Sequence, residues 1–347
     1  MIFRLNQYDL RGNEMKRYLK ILTVAFLFAV YSAGGIAKTL KIATLAPAGT
    51  TWMNEMKAGA KEIKQKTSGR VKLKFYPGGV MGNDQSVHRK IKIGQLHGGA
   101  FTSSGLTQVN SSIQALGLPM MFDNFAEVDY VRVRMDPVIK REMESSGFVI
   151  LGISEGGFAR ILSKRPMQNL ETIRASKAWI PQGDTLGQET FKGLGISGIS
   201  LPISDVFTGL QTGLIDTVAI NPTGAIAFQW HTSTSYMTTT PLGYLIGALV
   251  LQKKAFDQLS VDDQKIVREE MAKIFSRLDK LNRSDNAAAK QALQQQGIEF
   301  VSPSAEERAL WKSLSDRSID NMIRDGLISA GIVEQVKAHL NDFRNSQ

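Results

Sequence analysis

From about residue 40 onward, the chain alternates between strand-like and helix-like patterns of apolar residues. In the segment 71–76 apolar residues alternate with lysines, which predicts a strand with one buried face. The segment before it carries apolar residues at helical spacing, namely Trp52, Met56, Ala60 and Ile63. Strands that alternate with helices are typical of parallel sheets covered by helices on both faces. The pattern therefore predicts an α/β fold.

A second set of strand and helix patterns occupies the middle of the chain. It includes a capping box at Thr185-x-x-Gln188 and the pair Asn221-Pro222, each of which predicts the start of a helix. A helical pattern then runs from about 261 to 296 without a strand signal. Two sets of units predict two lobes, and a helix of that length can brace both. Because no low-complexity linker separates the sets, we expect crossing strands to join the lobes at a closely coupled hinge.

Composition narrows the class of protein. The 347 residues are too many for one ordinary domain, and 43% of them are hydrophobic, which is ample for a core. The net charge is +10, but Lys and Arg are scattered rather than gathered on an aromatic stripe, so nucleic-acid binding is not expected. The chain has no cysteine, which excludes disulfide bonds, zinc–thiolate sites, thiol nucleophiles and a lipoprotein anchor.

The N-terminal segment predicts export. A basic cluster at 16–20 precedes an apolar run at 21–31, and small residues follow as far as Ala37. These are the parts of a secretory signal peptide, with cleavage near Ala37, and the run is far short of the about 20 residues of a membrane span. We therefore expect residues 1–37 to be an upstream segment and signal peptide, and the mature protein to be periplasmic. The signal begins at Met15, which leaves open whether Met1 or Met15 is the true start.

No catalytic motif is present, and the one match to a cofactor motif lacks the strand and helix order that the motif requires. Gly193-x-Gly195-x-x-Gly198 matches the dinucleotide fingerprint, but a helix pattern precedes it and a strand pattern follows, which is the reverse of the required order. The four histidines show no metal-ligand spacing, and no nucleophile elbow is present. We expect no cofactor and no metal, and we favour binding over catalysis.

Several segments, read together, resemble a known family. They keep the family's order and spacing: KTSGRV at 66–71, FYPGGVMG at 75–82, LPMMF at 118–122, LQTGLID at 210–216 and NP at 221–222. The family is the DctP type of periplasmic solute-binding protein, the receptor component of tripartite ATP-independent periplasmic (TRAP) transporters. The resemblance covers about residues 41–268.

The resemblance implies a two-lobed periplasmic-binding-protein fold with discontinuous lobes, a ligand cleft between them and a long helix spanning both. On this basis lobe I comprises 38–157 plus about 242–285, and lobe II about 158–241 plus 286–347. It also implies an organic-acid solute and integral membrane permease subunits driven by an ion gradient. The opening LAPAGTTW at 45–52 resembles a branch proposed to carry apolar ligands with a helical periplasmic accessory protein.

One departure from the family concerns the solute. The family arginine that clamps a carboxylate lies in a "K-x-R-V-P" strand, and the matching position here holds Trp179. A second family arginine is matched by Arg160, so one cation of the pair is expected to remain. Because an indole cannot hold a carboxylate bidentately, we expect a monocarboxylate, aromatic or apolar solute. The expected ligand-binding residues are Trp52, Thr102, Arg160, Trp179, Gln182, Asp184, Asn221 and Thr223.

These observations favour a TRAP solute receptor. Two alternatives remain open at this point: a secreted two-lobed α/β enzyme, which turnover would reveal, and a sensory protein that presents its ligand to a receptor kinase. The sequence does not name the solute.

Overall fold

The computed structural model describes residues 37–347, so the predicted export signal lies outside the described residues except for Ala37. The strands are β1 Lys38–Thr44, β2 Val71–Tyr76, β3 Gly98–Thr102, β4 Phe148–Ser163, β5 Ala178–Pro181, β6 Gly198–Leu201, β7 Thr217–Ile220, β8 Tyr236–Thr238, β9 Gly243–Gln252 and β10 Glu299–Val301. The helices are α1 Thr51–Lys66, α2 Asp84–Lys92, α3 Ser103–Leu106, α4 Phe125–Ser145, α5 Leu170–Arg174, α6 Thr185–Leu194, α7 Val206–Thr212, α8 Pro222–Ala227, α9 Lys253–Phe256, α10 Val261–Gln295, α11 Ala305–Arg324 and α12 Ala330–Asn345.

The main sheet joins two parallel halves through two crossing strands. Its strand order is β2-β1-β3-β9-β4-β7-β5-β6, and β8 pairs with both β4 and β10. In the first half β1 runs parallel to β2 and β3, and in the second β5 runs parallel to β6 and β7. β9 runs antiparallel to both β3 and β4. The predicted α/β fold with flanking helices and crossing strands is confirmed, with the crossing strands supplying the antiparallel part.

β4 is longer than its sequence pattern predicted. The apolar run at 148–153 predicts a strand that ends at residue 153, but β4 is 16 residues long and passes from one lobe into the other. Its pairing with β9 shifts register between Glu155 and Gly157, and Gly157 has a φ of 84°. A left-handed backbone of this kind suits glycine, which has no Cβ to clash. The Glu-Gly-Gly sequence interrupts the apolar pattern, which suggests the end of a strand. In the structure it forms a bulge inside a continuous strand.

The long helix was predicted almost to the residue. α10 spans 35 residues, and its N-cap Ser260 accepts a hydrogen bond from the backbone N–H of Asp263 at 3.1 Å. It packs against α1 of lobe I, against β4 and against α8 of lobe II. One helix thus spans both lobes, as the resemblance implied. Within residues 37–347, none of the helices has the length and apolar character needed to cross a membrane.

The C-terminal helix corrects the predicted division of the lobes. Residues 286–347 were all assigned to lobe II, but α12 packs against α4 of lobe I. Its buried residues Ile332, Val336 and Leu340 belong to the same apolar core as those of α4. The Arg344 side chain also donates to Glu127 at 2.8 Å. α12 therefore covers part of the apolar face of α4. The rest of the division stays a prediction.

Candidate functional site

A cavity of about 800 Å³ lies between the two lobes. The residues at the carboxyl ends of β1, β3, β5 and β7 line it, together with the crossing strands β4 and β9 and one face of α10. In open parallel sheets, ligands bind beyond the carboxyl ends of the strands. A cavity of this size and position fits an organic molecule of moderate size.

Six of the eight expected ligand-binding residues line this cavity. They are Trp52, Thr102, Trp179, Asp184, Asn221 and Thr223. Arg160 and Gln182 are not among its lining residues. Most of the residues predicted from the sequence therefore line one cavity, and the ligand-binding role of each stays a prediction.

Arg160 lies on β4 between two residues that face the cavity. Ala159 and Ile161 both line it, and successive side chains of a strand point to opposite faces of the sheet. Burial lowers the pKa of the Arg160 guanidinium below its ordinary value. Residues of the other face, such as Trp179 and Ile220, also line the cavity, and the pairing of β4, β7 and β5 places Arg160 on that same face. The cation expected to hold a carboxylate is thus on a strand of the cavity wall without being one of the lining residues.

Gln182 connects the lobes outside the cavity. Its Oε1 accepts a hydrogen bond from Nδ2 of Asn83, at 3.2 Å, and Asn83 caps α2 in lobe I. The side chain is exposed, so this bond lies at the surface where the lobes meet. Gln182 is therefore placed to influence how the lobes come together.

Trp179 contributes an apolar surface rather than a hydrogen-bond donor. Only 5% of the residue is exposed, and its Nε1 donates to the carbonyl of Leu201 at 2.9 Å. The indole meets that of Trp230 edge to face, with ring centroids 5.3 Å apart. Because its N–H is already used, Trp179 offers a solute mainly its ring.

Asp184 is the N-cap of α6, and this corrects the predicted capping box at Thr185. Its Oδ1 accepts from the backbone N–H of Gly187 at 3.0 Å and from Nε2 of Gln114 at 3.2 Å. Burial raises the pKa of this carboxyl, an effect that the two hydrogen bonds oppose. Since Gln114 belongs to lobe I, Asp184 joins the two lobes at the cavity wall.

Asn221 and Thr223 hold the start of α8, as the Asn-Pro pair predicted. Asn221 accepts from the backbone N–H of Gly224 at 3.1 Å, and Pro222 occupies the first turn. Its Nδ2 donates to Oδ1 of Asn286, on α10, at 3.0 Å. The Thr223 hydroxyl is buried and has no hydrogen-bond partner among residues 37–347.

A buried ionic cluster beside the cavity was missed from the sequence. Glu155 is 1% exposed and lines the cavity, and it accepts a 2.6 Å hydrogen bond from the hydroxyl of Tyr244. Nε of Arg283 donates to its other oxygen at 2.7 Å. Burial, reinforced by Glu155, raises the pKa of the Tyr244 phenol, which keeps it a donor. A lone glutamate before two glycines was the only sequence signal.

The lining of the cavity is largely apolar and carries no basic side chain within the described residues. Aromatic and aliphatic side chains from both lobes supply most of it, including Phe101, Phe228 and Phe275. Its ionisable acids are Glu155, Asp184 and Asp285, and no Lys, Arg or His from residues 37–347 lines it. Such a site can exclude water from an apolar solute but gives a carboxylate no positive partner.

Comparison with known proteins places this geometry in context. Residues 42–325 match the model of the DctP family, described as bacterial extracellular solute-binding protein, family 7. The uncharacterized protein YiiZ of Salmonella typhimurium is 24% identical over 211 residues, which span 59% of this chain and 64% of YiiZ, less than two thirds of that relative. The C4-dicarboxylate-binding periplasmic protein DctP of Rhodobacter capsulatus is 24% identical over 282 residues, or 80% of this chain and 84% of that protein.

A solved structure shares the fold. The sugar acid binding protein of Advenella mimigardefordensis, in complex with galactonate, superposes with a TM-score of 0.82 at 20% identity. The match covers 89% of this chain and 99% of that one. At this level of identity the likeness establishes the two-lobed architecture.

Proposed function

The chain belongs to the DctP family of bacterial extracellular solute-binding proteins, the receptors of TRAP transporters, and we propose that it captures an apolar or aromatic organic solute between its lobes for uptake. The single observation that carries this proposal is the cavity of about 800 Å³, which is mainly apolar and has no basic residue from the described part of the chain on its wall. Burial of apolar surface stabilises such a complex by roughly 25 cal/mol per Å².

The same observation supports a solute other than a dicarboxylate. An arginine recognises a carboxylate through two parallel charge-assisted bonds, and the position of the family clamp holds Trp179. Arg160, the second cation expected by resemblance, is not among the residues that line the cavity. We therefore propose that neither end of a C4-dicarboxylate finds a partner here, and that the monocarboxylate expectation is weaker than the apolar one.

The experiment is identification of the bound solute. The protein is purified, denatured, and the released small molecule identified by mass spectrometry; calorimetry then compares it with succinate and with a monocarboxylate of equal length. We expect a mainly apolar or aromatic molecule and no measurable succinate binding by the wild type. Trp179→Arg restores the family cation and is expected to gain some affinity for succinate. Tight succinate binding by the wild type, unchanged in Trp179→Ala, would contradict the proposal.

The partners and location follow from the family. We propose that integral membrane permease subunits driven by an ion gradient accept the solute, and that a helical periplasmic accessory protein assists, as in the branch that the segment 45–52 resembles. We propose a receptor without turnover, placed in the periplasm after cleavage near Ala37. N-terminal sequencing of the periplasmic protein should begin within a few residues of Lys38, and incubation with the released solute should leave that molecule unaltered.

A further inference from the structure

The hydrogen-bond donors of the cavity wall are largely used within the protein. Seven lining side chains carry N–H or phenolic O–H donors, and all but Trp52 donate to a protein oxygen of the described residues: Gln114, Trp179, Asn221, Tyr244, Asn282 and Trp311. Each of these bonds is 3.2 Å or shorter. A solute group that can only accept hydrogen bonds, such as a carboxylate, therefore finds few free donors besides the Trp52 N–H and hydroxyls such as that of Thr223.

Acceptors without a donor, in contrast, occur on two lining residues at one point where the lobes meet. Gln114 is 6% exposed, and its Oε1 is buried without a hydrogen-bond partner among residues 37–347. Its Nε2 faces Oδ1 of Asp184, and Oδ2 of Asp184 accepts no hydrogen bond from the described part of the chain. A buried acceptor without a donor costs about 1–3 kcal/mol, which a donor on the solute removes.

The charges of the lining residues also favour a solute group that donates hydrogen bonds and is positive. Glu155 is balanced by Arg283, whose Nε lies 2.7 Å from its Oε1. Asp184 forms no ion pair within residues 37–347, and its two hydrogen bonds come from neutral groups. A positive solute group would therefore neutralise an otherwise uncompensated carboxylate in apolar surroundings, where opposite charges attract most strongly.

From this arrangement we propose that the solute is an apolar or aromatic amine whose ammonium group donates to Oδ2 of Asp184 and Oε1 of Gln114. An ammonium has three donors and no acceptor, so it satisfies both oxygens at once. Because Gln114 belongs to lobe I and Asp184 to lobe II, the bound head group also links the lobes. This inference rests on the proposed receptor function and names the solute class for the same cavity.

The test uses three ligands with one aromatic body and different head groups: tryptamine, tryptophol and indoleacetate. Calorimetry measures each against the wild type, against Asp184→Asn and against the control Asp205→Asn. Asparagine is as good an N-cap as aspartate, so Asp184→Asn keeps α6 in place while removing the charge. Asp205 is exposed and outside the cavity, and its replacement makes the same change in net charge.

The wild type is expected to bind tryptamine at least about tenfold more tightly than tryptophol, and indoleacetate most weakly, because a charge-assisted hydrogen bond is worth more than a neutral one. Asp184→Asn should abolish the preference for tryptamine over tryptophol, and Asp205→Asn should keep it. Indoleacetate binding as tight as tryptamine binding, or a tryptamine preference that survives Asp184→Asn, overturns the inference.

The solute released from the purified protein settles the remaining outcomes. A basic nitrogen in that solute supports the inference even if all three indoles bind weakly. A released solute that is anionic or lacks a donor overturns the amine while leaving the receptor function intact. If the protein releases no solute and binds none of the three ligands, the amine inference fails, while the receptor function, which rests on the family match, stands.

Discussion

Asp84 is a single carboxyl whose burial makes stability depend on pH. It begins α2, packs close to Gly105, and burial raises its pKa to about 6. An unfolded aspartate titrates near 3.9. As pH rises from about 4 to about 6 the unfolded chain releases this proton before the folded protein does, so stability falls across that window and the full cost persists above it.

Replacing Asp84 with Asn should therefore stabilise the protein at neutral and alkaline pH. We expect Asp84→Asn to raise the free energy of unfolding by about 1–3 kcal/mol near pH 8, with little change near pH 4. Urea unfolding at the two pH values measures the difference. Asp262, an exposed acid in the first turn of α10, is the control, and Asp262→Asn should give no gain at either pH. Equal effects of the two substitutions at pH 8 would refute the assignment.

Substitutions of Trp179 test whether the solute contacts the indole ring or its N–H group. Its Nε1 donates to the Leu201 carbonyl, which the backbone N–H of Gln182 also reaches at 3.0 Å. Trp179→Phe keeps most of the ring surface and leaves that carbonyl one donor, so we expect a loss of stability of about 1 kcal/mol and nearly unchanged solute affinity. Trp179→Ala should cost about 3–5 kcal/mol and weaken binding at least tenfold. Thermal melting and calorimetry with the released solute distinguish the two.

At the residue scale, the sequence predicted which residues lie near the cavity better than it predicted where their side chains point. Trp179, Asp184 and Asn221 follow strand patterns, and the carboxyl ends of parallel strands gather at one edge, so their meeting was predictable. The direction of Arg160 depends on its register in β4, where a shift of one residue turns a side chain to the other face. The free Oε1 of Gln114 depends on how two lobes meet, for which the local pattern holds no signal.

Among the elements, α10 is the part that connects both lobes to the cavity. Asn286 lies on this helix, and its Nδ2 donates to the carbonyl of Gly156 at 2.9 Å, beside the bulge in β4. Its Oδ1 accepts from Nδ2 of Asn221 and from the backbone N–H of Thr223. One amide thus ties together the long helix, a crossing strand and the start of α8.

Removing that amide should loosen all three elements. We expect Asn286→Ala to lower the free energy of unfolding by about 1–3 kcal/mol, because buried partners lose their hydrogen bonds. Lys280→Ala, an exposed change on the same helix, is the matched control and should cost under about 0.5 kcal/mol. Denaturant midpoints for both variants measure the effect, and losses of similar size would show that Asn286 has no special role.

Element prediction succeeded where a pattern was periodic and long. The bounds of α10 and of Val71–Tyr76 agree with the structure within a residue or so. β9 was not predicted, because its run of glycines and aliphatic residues has neither helical nor alternating spacing. β8 and β10 are three residues each, too short for a period to show.

For the whole molecule, the hydrogen bonds that already cross between the lobes at or near the cavity include two between side chains outside the crossing strands and α10. Asn83 donates to Gln182, and Gln114 donates to Asp184. We expect the solute to favour this closed arrangement, since it contacts both lobes when they are together. Saturating solute at a hundredfold excess over the dissociation constant should raise the unfolding free energy by about 2.7 kcal/mol.

Small-angle scattering with and without the released solute measures the closure. The radius of gyration should decrease on binding in the wild type, and a Gln114→Ala, Asn83→Ala double variant should be more open without solute. A radius and a melting temperature that both stay constant under saturating solute would contradict a closing receptor.

The return of α12 to lobe I has a consequence for how the polypeptide acquires its structure during synthesis. β1 is among the first described elements to leave the ribosome, yet part of the apolar face of α4 stays uncovered until α12 emerges at the end of the chain. Lobe II draws its core from the interior of the sequence, between β4 and α11. Lobe I, whose first strands are synthesised first, therefore completes its core last. Lobe II can fold before the final residues of the chain have been synthesised.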